Sequence, residues 1–244
     1  HLKLPRRLQH AGQLDLVVWS ETSALGTAIN EKGARRLLHR LFTRRLGTPA
    51  IFGAVLRRPV DDERRYVLFN SALLSDARGR ICKTCRYDKQ YLLMFGEYLP
   101  LGNTFPVMYR WSPNSGRFTP GEVLRPLPLG EHEIAVFICY EDIIPAFVNS
   151  IVRSGNPDLL VNMTNDAWFG DTTEPWIHLA LAKLRAIEHR RYLIRSTNSG
   201  VSAVIDPVGR VVARTGTFTE EAFATQIAWL RPRTAFAVIG NLPW

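Results

Sequence analysis

The run Ile134-Ala135-Val136-Phe137-Ile138 constrains this chain more than any other stretch. It is apolar at every position, bounded by Glu133 and Cys139, and too short for a buried helix. It reads as a buried strand that delivers a thiol at its exit, with Tyr140 and Glu141 immediately after. Two other segments share this construction: Leu16-Val17-Val18-Trp19-Ser20 runs into Glu21, and Arg86-Tyr87-Asp88 leads to Lys89. A carboxylate, an amine and a thiol, each brought by its own element, form a candidate Glu–Lys–Cys active site. Cys139 taken alone fits a buried structural cysteine at least as well. The surrounding motifs carry the weight.

The remaining pattern predicts strands over 15–20, 50–56, 65–74, 80–83, 133–139, 158–164, 192–196, 201–205 and 210–213. Helices are predicted over 31–46, with Leu37, Leu38, Leu41, Phe42 and Leu46 on one stripe and Gly47 as the stop, and over 143–153. A third spans 174 to about 190, with Pro175 in its first turn and Trp176, Ile177, Ala180, Leu181, Leu184 and Ile187 along one side. Asp76-Ala77-Arg78-Gly79 and Asp206-Pro207-Val208-Gly209 have turn chemistry. Residues 99–128, rich in Pro, Gly and aromatics, read as a long irregular segment of the functional kind. Strand–helix–strand and then hairpin occurs roughly twice, and the first strand of each half ends at Glu21 or Cys139. That order predicts an α/β fold of two related halves, without sequence repeat or linker: one domain over 1–244.

A chain of 244 residues is long enough for such a core, and 46% apolar with 22% charged residues is ordinary for a soluble globular protein. No apolar stretch approaches the ~18 residues that span a bilayer. The net charge of +9 suits anionic lipid headgroups. Its arginine pairs are scattered, with no recognition helix, zinc-finger spacing or RNP-like motif, so nucleic acid is not an expected partner. Cys82 and Cys85 form a single C-x-x-C, which reads as a local disulfide or two free thiols rather than half of a zinc site.

A free thiol has a pKa near ~8.5 and needs a base or a neighbouring cation to attack at neutral pH. Glu21 is placed to be that base, Lys89 to stabilise an oxyanion, and the Tyr140 N–H to be a second oxyanion donor. The aromatic segments 105–118 and 168–176 read either as lids touching acyl chains or a membrane, or as loop anchors.

Trp19-Ser20-Glu21, Tyr87-Asp88-Lys89 with Phe95-Gly96-Glu97-Tyr98, and Ile138-Cys139-Tyr140-Glu141 resemble the nitrilase superfamily in order and separation. Within it, Thr164-Asn165-Asp166-Ala167-Trp168-Phe169-Gly170 and Arg195-Ser196-Thr197-Asn198-Ser199-Gly200 are most similar to the apolipoprotein N-acyltransferase family. The resemblance implies an α-β-β-α sandwich: two mixed sheets face to face with helices outside. It implies Glu21 as general base, Lys89 as oxyanion stabiliser and Cys139 as nucleophile, supported by Glu97, Tyr140 and Glu141. The implied reaction moves an acyl chain from phospholipid to Cys139 as a thioester. The N-terminal amine of a diacylglyceryl-cysteine apolipoprotein then takes it, with no metal or organic cofactor. The implied setting is the periplasmic face of a bacterial inner membrane, this chain being a soluble fragment that lacks the family's first strand and flanking membrane helices. Ser20 stands where the family has Pro, and Leu93-Met94 where it often has Val-Pro. The alternative is a soluble carbon–nitrogen hydrolase using the same triad with water as acceptor. A non-catalytic lipoprotein-binding or membrane-surface module is a third reading, which the intact triad opposes.

Overall fold

The computed structural model describes residues 13–23, 47–60, 66–82, 84–102, 104–112 and 115–240. The helix expected over 31–46 lies outside the described residues. Two sheets organise the rest. The first has the order β1-β2-β3-β4, from Val17–Val18, Ala50–Pro59, Tyr66–Ser75 and Arg86–Asp88. Here β1 runs parallel to β2, and β2, β3 and β4 are antiparallel. The second has the order β10-β9-β8-β7-β6-β5, comprising β5 (Leu127–Leu129), β6 (His132–Ile138), β7 (Leu159–Thr164), β8 (Leu193–Thr197), β9 (Ala203–Ile205) and β10 (Val211–Arg214). Its centre, β6-β7-β8, is parallel, with antiparallel edges.

Parallel neighbours need crossovers, which helices supply. After a short helix α1 (Met108–Trp111), α2 (Pro145–Gly155) links β6 to β7 and α3 (Glu174–His189) links β7 to β8. Both open with proline in the first turn, where the missing N–H costs nothing. Both close on a left-handed residue, Asn156 and Arg190, whose N–H bonds back to the last turn. A last short helix, α4, spans Ala235–Ile239.

Ile51, Ala72, Leu74 and Tyr87 of the first sheet share one buried cluster with Ile134, Val136 and Ile138 of the second, so the core lies between the sheets. Phe147, Val148, Ile151 and Val152 of α2 join that cluster, covering β6 from outside. The result is the expected α/β architecture of two mixed sheets with helices outside. The two predicted turns are built alike. Asp76 and Asp206 each accept from the backbone N–H groups two and four residues on, and each closes the same pair of backbone bonds.

Two expectations are corrected. The strand expected over 80–83 is not formed at 80–82, which are irregular, and the Cys82–Cys85 disulfide closes a turn before β4 begins at Arg86. The predicted apolar side of α3 faces outward. Trp176, Ile177, Leu181, Leu184 and Ile187 are all exposed, while His178, Leu179, Ala182, Arg185, Ala186 and His189 are buried. Among the described residues no helix is long and apolar enough to cross a membrane.

Candidate active site

Three strand ends converge. β1 leads through Trp19 and Ser20 to Glu21, held against β2 by the bonds Trp19 N–H to Ile51 O and Gly53 N–H to Ser20 O. Gly53 permits this approach, because a Cβ there would lie 2.4 Å from Thr22 N and 2.7 Å from Glu21 Cα. β4 delivers Lys89, whose N–H bonds to Asn70 O on the neighbouring β3. β6 delivers Cys139, the free cysteine of the three. Its φ of 57° is left-handed, a conformation that costs a Cβ-bearing residue about 1–2 kcal/mol. A 3-10 turn, Cys139–Ile143, starts there.

Lys89 is only 1% exposed, and its Nζ lies 2.8 Å from Glu97 Oε2 and 3.8 Å from Glu21 Oε1. Its direct partner is therefore Glu97. Burial works against the ammonium, but Glu21, Cys139 and Glu97 outweigh it and raise the pKa, so Lys89 is cationic. Burial raises the Glu21 carboxyl above the usual range, with Lys89 pulling the other way. Burial also pushes the partly exposed Cys139 thiol up to about 12, helped by Glu21 and opposed by Lys89. Cys139 is thus a neutral thiol beside a carboxyl of raised pKa and a firmly charged lysine. The Thr164 hydroxyl and the Tyr140 N–H also oppose the rise in the thiol's pKa.

Asn70 completes the cluster. Its Nδ2 donates to Glu21 Oε1 at 2.6 Å and to Glu97 Oε1 at 2.7 Å, separating two carboxylates that share one lysine. Sequence reasoning missed it, although an Asn inside Val67-Leu68-Phe69-Asn70-Ser71-Ala72-Leu73 is the signal of a buried polar task. Glu97 also accepts from the Leu93 N–H at 2.8 Å.

Glu141 does not join this cluster. Fully buried, it accepts from the Tyr87 hydroxyl, the Gln90 and Tyr91 N–H groups and the Ile138 N–H at 2.7–3.0 Å. It therefore ties the Lys89 segment to the Cys139 turn. Burial raises its carboxyl to about 7 against those donors. Tyr140 donates its hydroxyl to Leu92 O at 2.9 Å, and its ring lies 5.4 Å from Lys89 Nζ.

Two apolar segments leave from the site. The one after Leu92 exposes Phe95, Leu101, Phe105 and Trp111, the last 79% exposed. The other follows Asn165, whose N–H acts to lower the Glu21 pKa, and exposes Trp168 (71%) and Phe169.

The carbon-nitrogen hydrolase family model matches residues 7–234. Curated relatives include an apolipoprotein N-acyltransferase of Geobacter metallireducens, 34% identical over 89% of this chain and 41% of its own length. Another, from Bdellovibrio bacteriovorus, is 36% identical over 97% of this chain and 45% of its own. The chain therefore spans less than half the length of these relatives. Among solved structures, a cysteine-to-serine mutant of the Nesterenkonia AN1 amidase from the nitrilase superfamily superposes with a TM-score of 0.60, covering 87% of this chain and 78% of that one. At 19% identity it speaks for the fold.

Proposed function

This chain belongs to the carbon-nitrogen hydrolase family, and we propose that it is the catalytic part of an N-acyltransferase that moves a fatty acyl chain from phospholipid to the N-terminal amine of a lipoprotein. The observation that carries the chemistry is the arrangement around Cys139: a neutral thiol beside Glu21, with Lys89 held by Glu97. The acceptor assignment rests on the relatives of that name and on the exposed aromatics that leave the site.

Glu21 takes the thiol proton as sulfur attacks the ester carbonyl of the donor. A thiol with a pKa near 12 makes this concerted transfer preferable to a preformed thiolate. Lys89 and the Tyr140 N–H stabilise the oxyanion. Collapse expels the lysophospholipid alkoxide, which takes the proton back from Glu21 and leaves a thioester on Cys139. The acceptor amine then attacks the thioester, Glu21 removes its proton, and the expelled thiolate recovers that proton. Thiol and carboxylate are restored, and no cofactor enters the balance. Glu97 and Asn70 hold Lys89 and Glu21 apart and in place.

Exposed Trp111 and Trp168 suit a membrane interface, where an apolar ring with a polar N–H is favoured. The intact protein is proposed to sit at a bacterial inner membrane with this part in the periplasm. The test of the acceptor is partition: the acylated chain is mixed with a diacylglyceryl-cysteine peptide, and amide formation is compared with release of free fatty acid. Amide as the main product supports the acyltransferase. Free acid regardless of peptide, together with turnover of small amides, supports a water-using amidase instead.

A further inference from the structure

Beneath Cys139 lies a buried charge cluster that the mechanism above does not use. Asp142, Asp166, His178 and Arg195 are all at most 5% exposed, and they come from four different elements. Arg195 on β8 donates to Asp142 Oδ2 at 3.0 Å and to Asp166 Oδ2 at 3.1 Å. His178 on α3 bridges the same two carboxylates, with Nε2 2.9 Å from Asp142 and Nδ1 3.3 Å from Asp166. Glu174, one turn earlier, approaches His178 Nδ1 at 3.9 Å from the solvent side. Burial disfavours the imidazolium, but Asp142 and Asp166 raise its pKa to about 9, so His178 is cationic at neutral pH. This explains why α3 turns its His178 side inward. It also gives Gly200 a reason, since a Cβ there would lie 2.0 Å from Asp166 Oδ2.

The cluster reaches the nucleophile from two sides. Arg195 donates to Asn162 Oδ1 at 2.7 Å, which fixes the amide so that Asn162 Nδ2 donates to Cys139 O at 2.9 Å. Thr164, two residues further along β7, donates to Asp166 Oδ1 at 3.2 Å, and its hydroxyl is near enough to Cys139 to oppose the rise in the thiol's pKa. The grip on the carbonyl matters because Cys139 has a left-handed backbone, and such a conformation persists only where its surroundings impose it. The peptide unit whose oxygen Asn162 holds is also the one whose N–H belongs to Tyr140. Fixing the carbonyl therefore aims the oxyanion donor.

We propose that Asn162, clamped by Arg195, is a positioning residue for this site: it orients the Cys139–Tyr140 peptide so that its N–H faces the oxyanion of the acylation step. The proposal rests on the reading of Cys139 as nucleophile.

Two probes separate aiming from general support. Acylation by p-nitrophenyl acetate passes through an oxyanion, whereas alkylation by iodoacetamide is displacement at carbon and forms none. Both are followed by intact mass on the parent chain, Asn162→Ala, Asn162→Asp and a Cys139→Ala control. Asn162→Asp keeps volume and the Arg195 contact but puts an acceptor against the Cys139 carbonyl, so it decides the matter should the alanine variant not fold. The expected result is acylation slowed about a hundredfold with alkylation within about threefold of the parent, the size of effect seen when one oxyanion donor is lost. Both rates falling together, or neither falling, overturns the positioning role while leaving the nucleophile reading intact. A parent chain that gains no mass at Cys139 with either probe overturns both.

Discussion

In the proposed mechanism Cys139 is chemically quiet until Glu21 acts, and that has a measurable signature. With the thiol pushed up to about 12, its alkylation rate should keep climbing through pH 10. A free cysteine levels off above its pKa of ~8.5. Cys82 and Cys85 are bonded to each other, so label uptake reports Cys139 alone. A plateau near pH 8 would contradict the assignment of a buried neutral thiol. Asn70 gives a second test. Its hydrogen bond to Glu21 favours the charged carboxylate, so removing it raises the Glu21 pKa further. Asn70→Ala should move the acidic limb of the pH–rate profile for acylation to higher pH and slow the reaction at neutral pH by roughly tenfold or more, within the usual reach of general-base effects. An unmoved limb would remove Asn70 from the account. Glu21, Lys89 and Cys139 were legible because each stands at the end of a run with one clear period. Asn70 was not, because nothing local to its strand points to Glu21 or Glu97, which meet it only in the fold.

At the scale of elements, the site depends on strands that approach more closely than side chains allow. Gly53→Ala in β2 would force the Glu21 turn outward, since the new Cβ meets backbone atoms that cannot rotate away. The expected outcome is a stability loss of about 1–3 kcal/mol, as for other overpacked interiors, read by chemical denaturation. Acylation should fall by more than the unfolded fraction explains; loss in proportion to unfolding alone would mean that Glu21 tolerates displacement. Helix α3 shows what periodicity cannot say. Its apolar stripe announces a helix, yet the inward face carries Leu179, Ala182 and Ala186 of the core together with His178, which bridges Asp142 and Asp166. A hydrophobic pattern reports a face, and the partner decides which face is inside. The strand expected over 80–83 fails for a related reason: β-propensity is local, whereas the Cys82–Cys85 bond, one of the two states expected for that C-x-x-C, closes the chain into a turn ahead of β4.

For the molecule as a whole, the buried cluster ties stability to pH with a definite sign. His178 is faced by Asp142 after β6, Asp166 after β7, Glu174 on its own helix and Arg195 on β8. Its folded pKa of about 9 lies above the unfolded value of 6.5. The stabilisation is therefore complete below the unfolded value and is lost as pH rises through 9. A shift of this size corresponds to at most about 3 kcal/mol. The denaturation midpoint should fall between pH 7 and pH 9.5 in the parent and stay flatter in His178→Gln; a parent profile no steeper than the variant's would contradict the bridge. The most direct test of the central claim is intact-protein mass spectrometry after incubation with phospholipid vesicles, with Cys139→Ala alongside. The account predicts a fatty-acyl increment on the parent, absent from the variant and removed by hydroxylamine as a thioester is. A folded chain that alkylates at Cys139 with iodoacetamide yet takes no acyl group from vesicles or from a soluble short-chain phospholipid would contradict it.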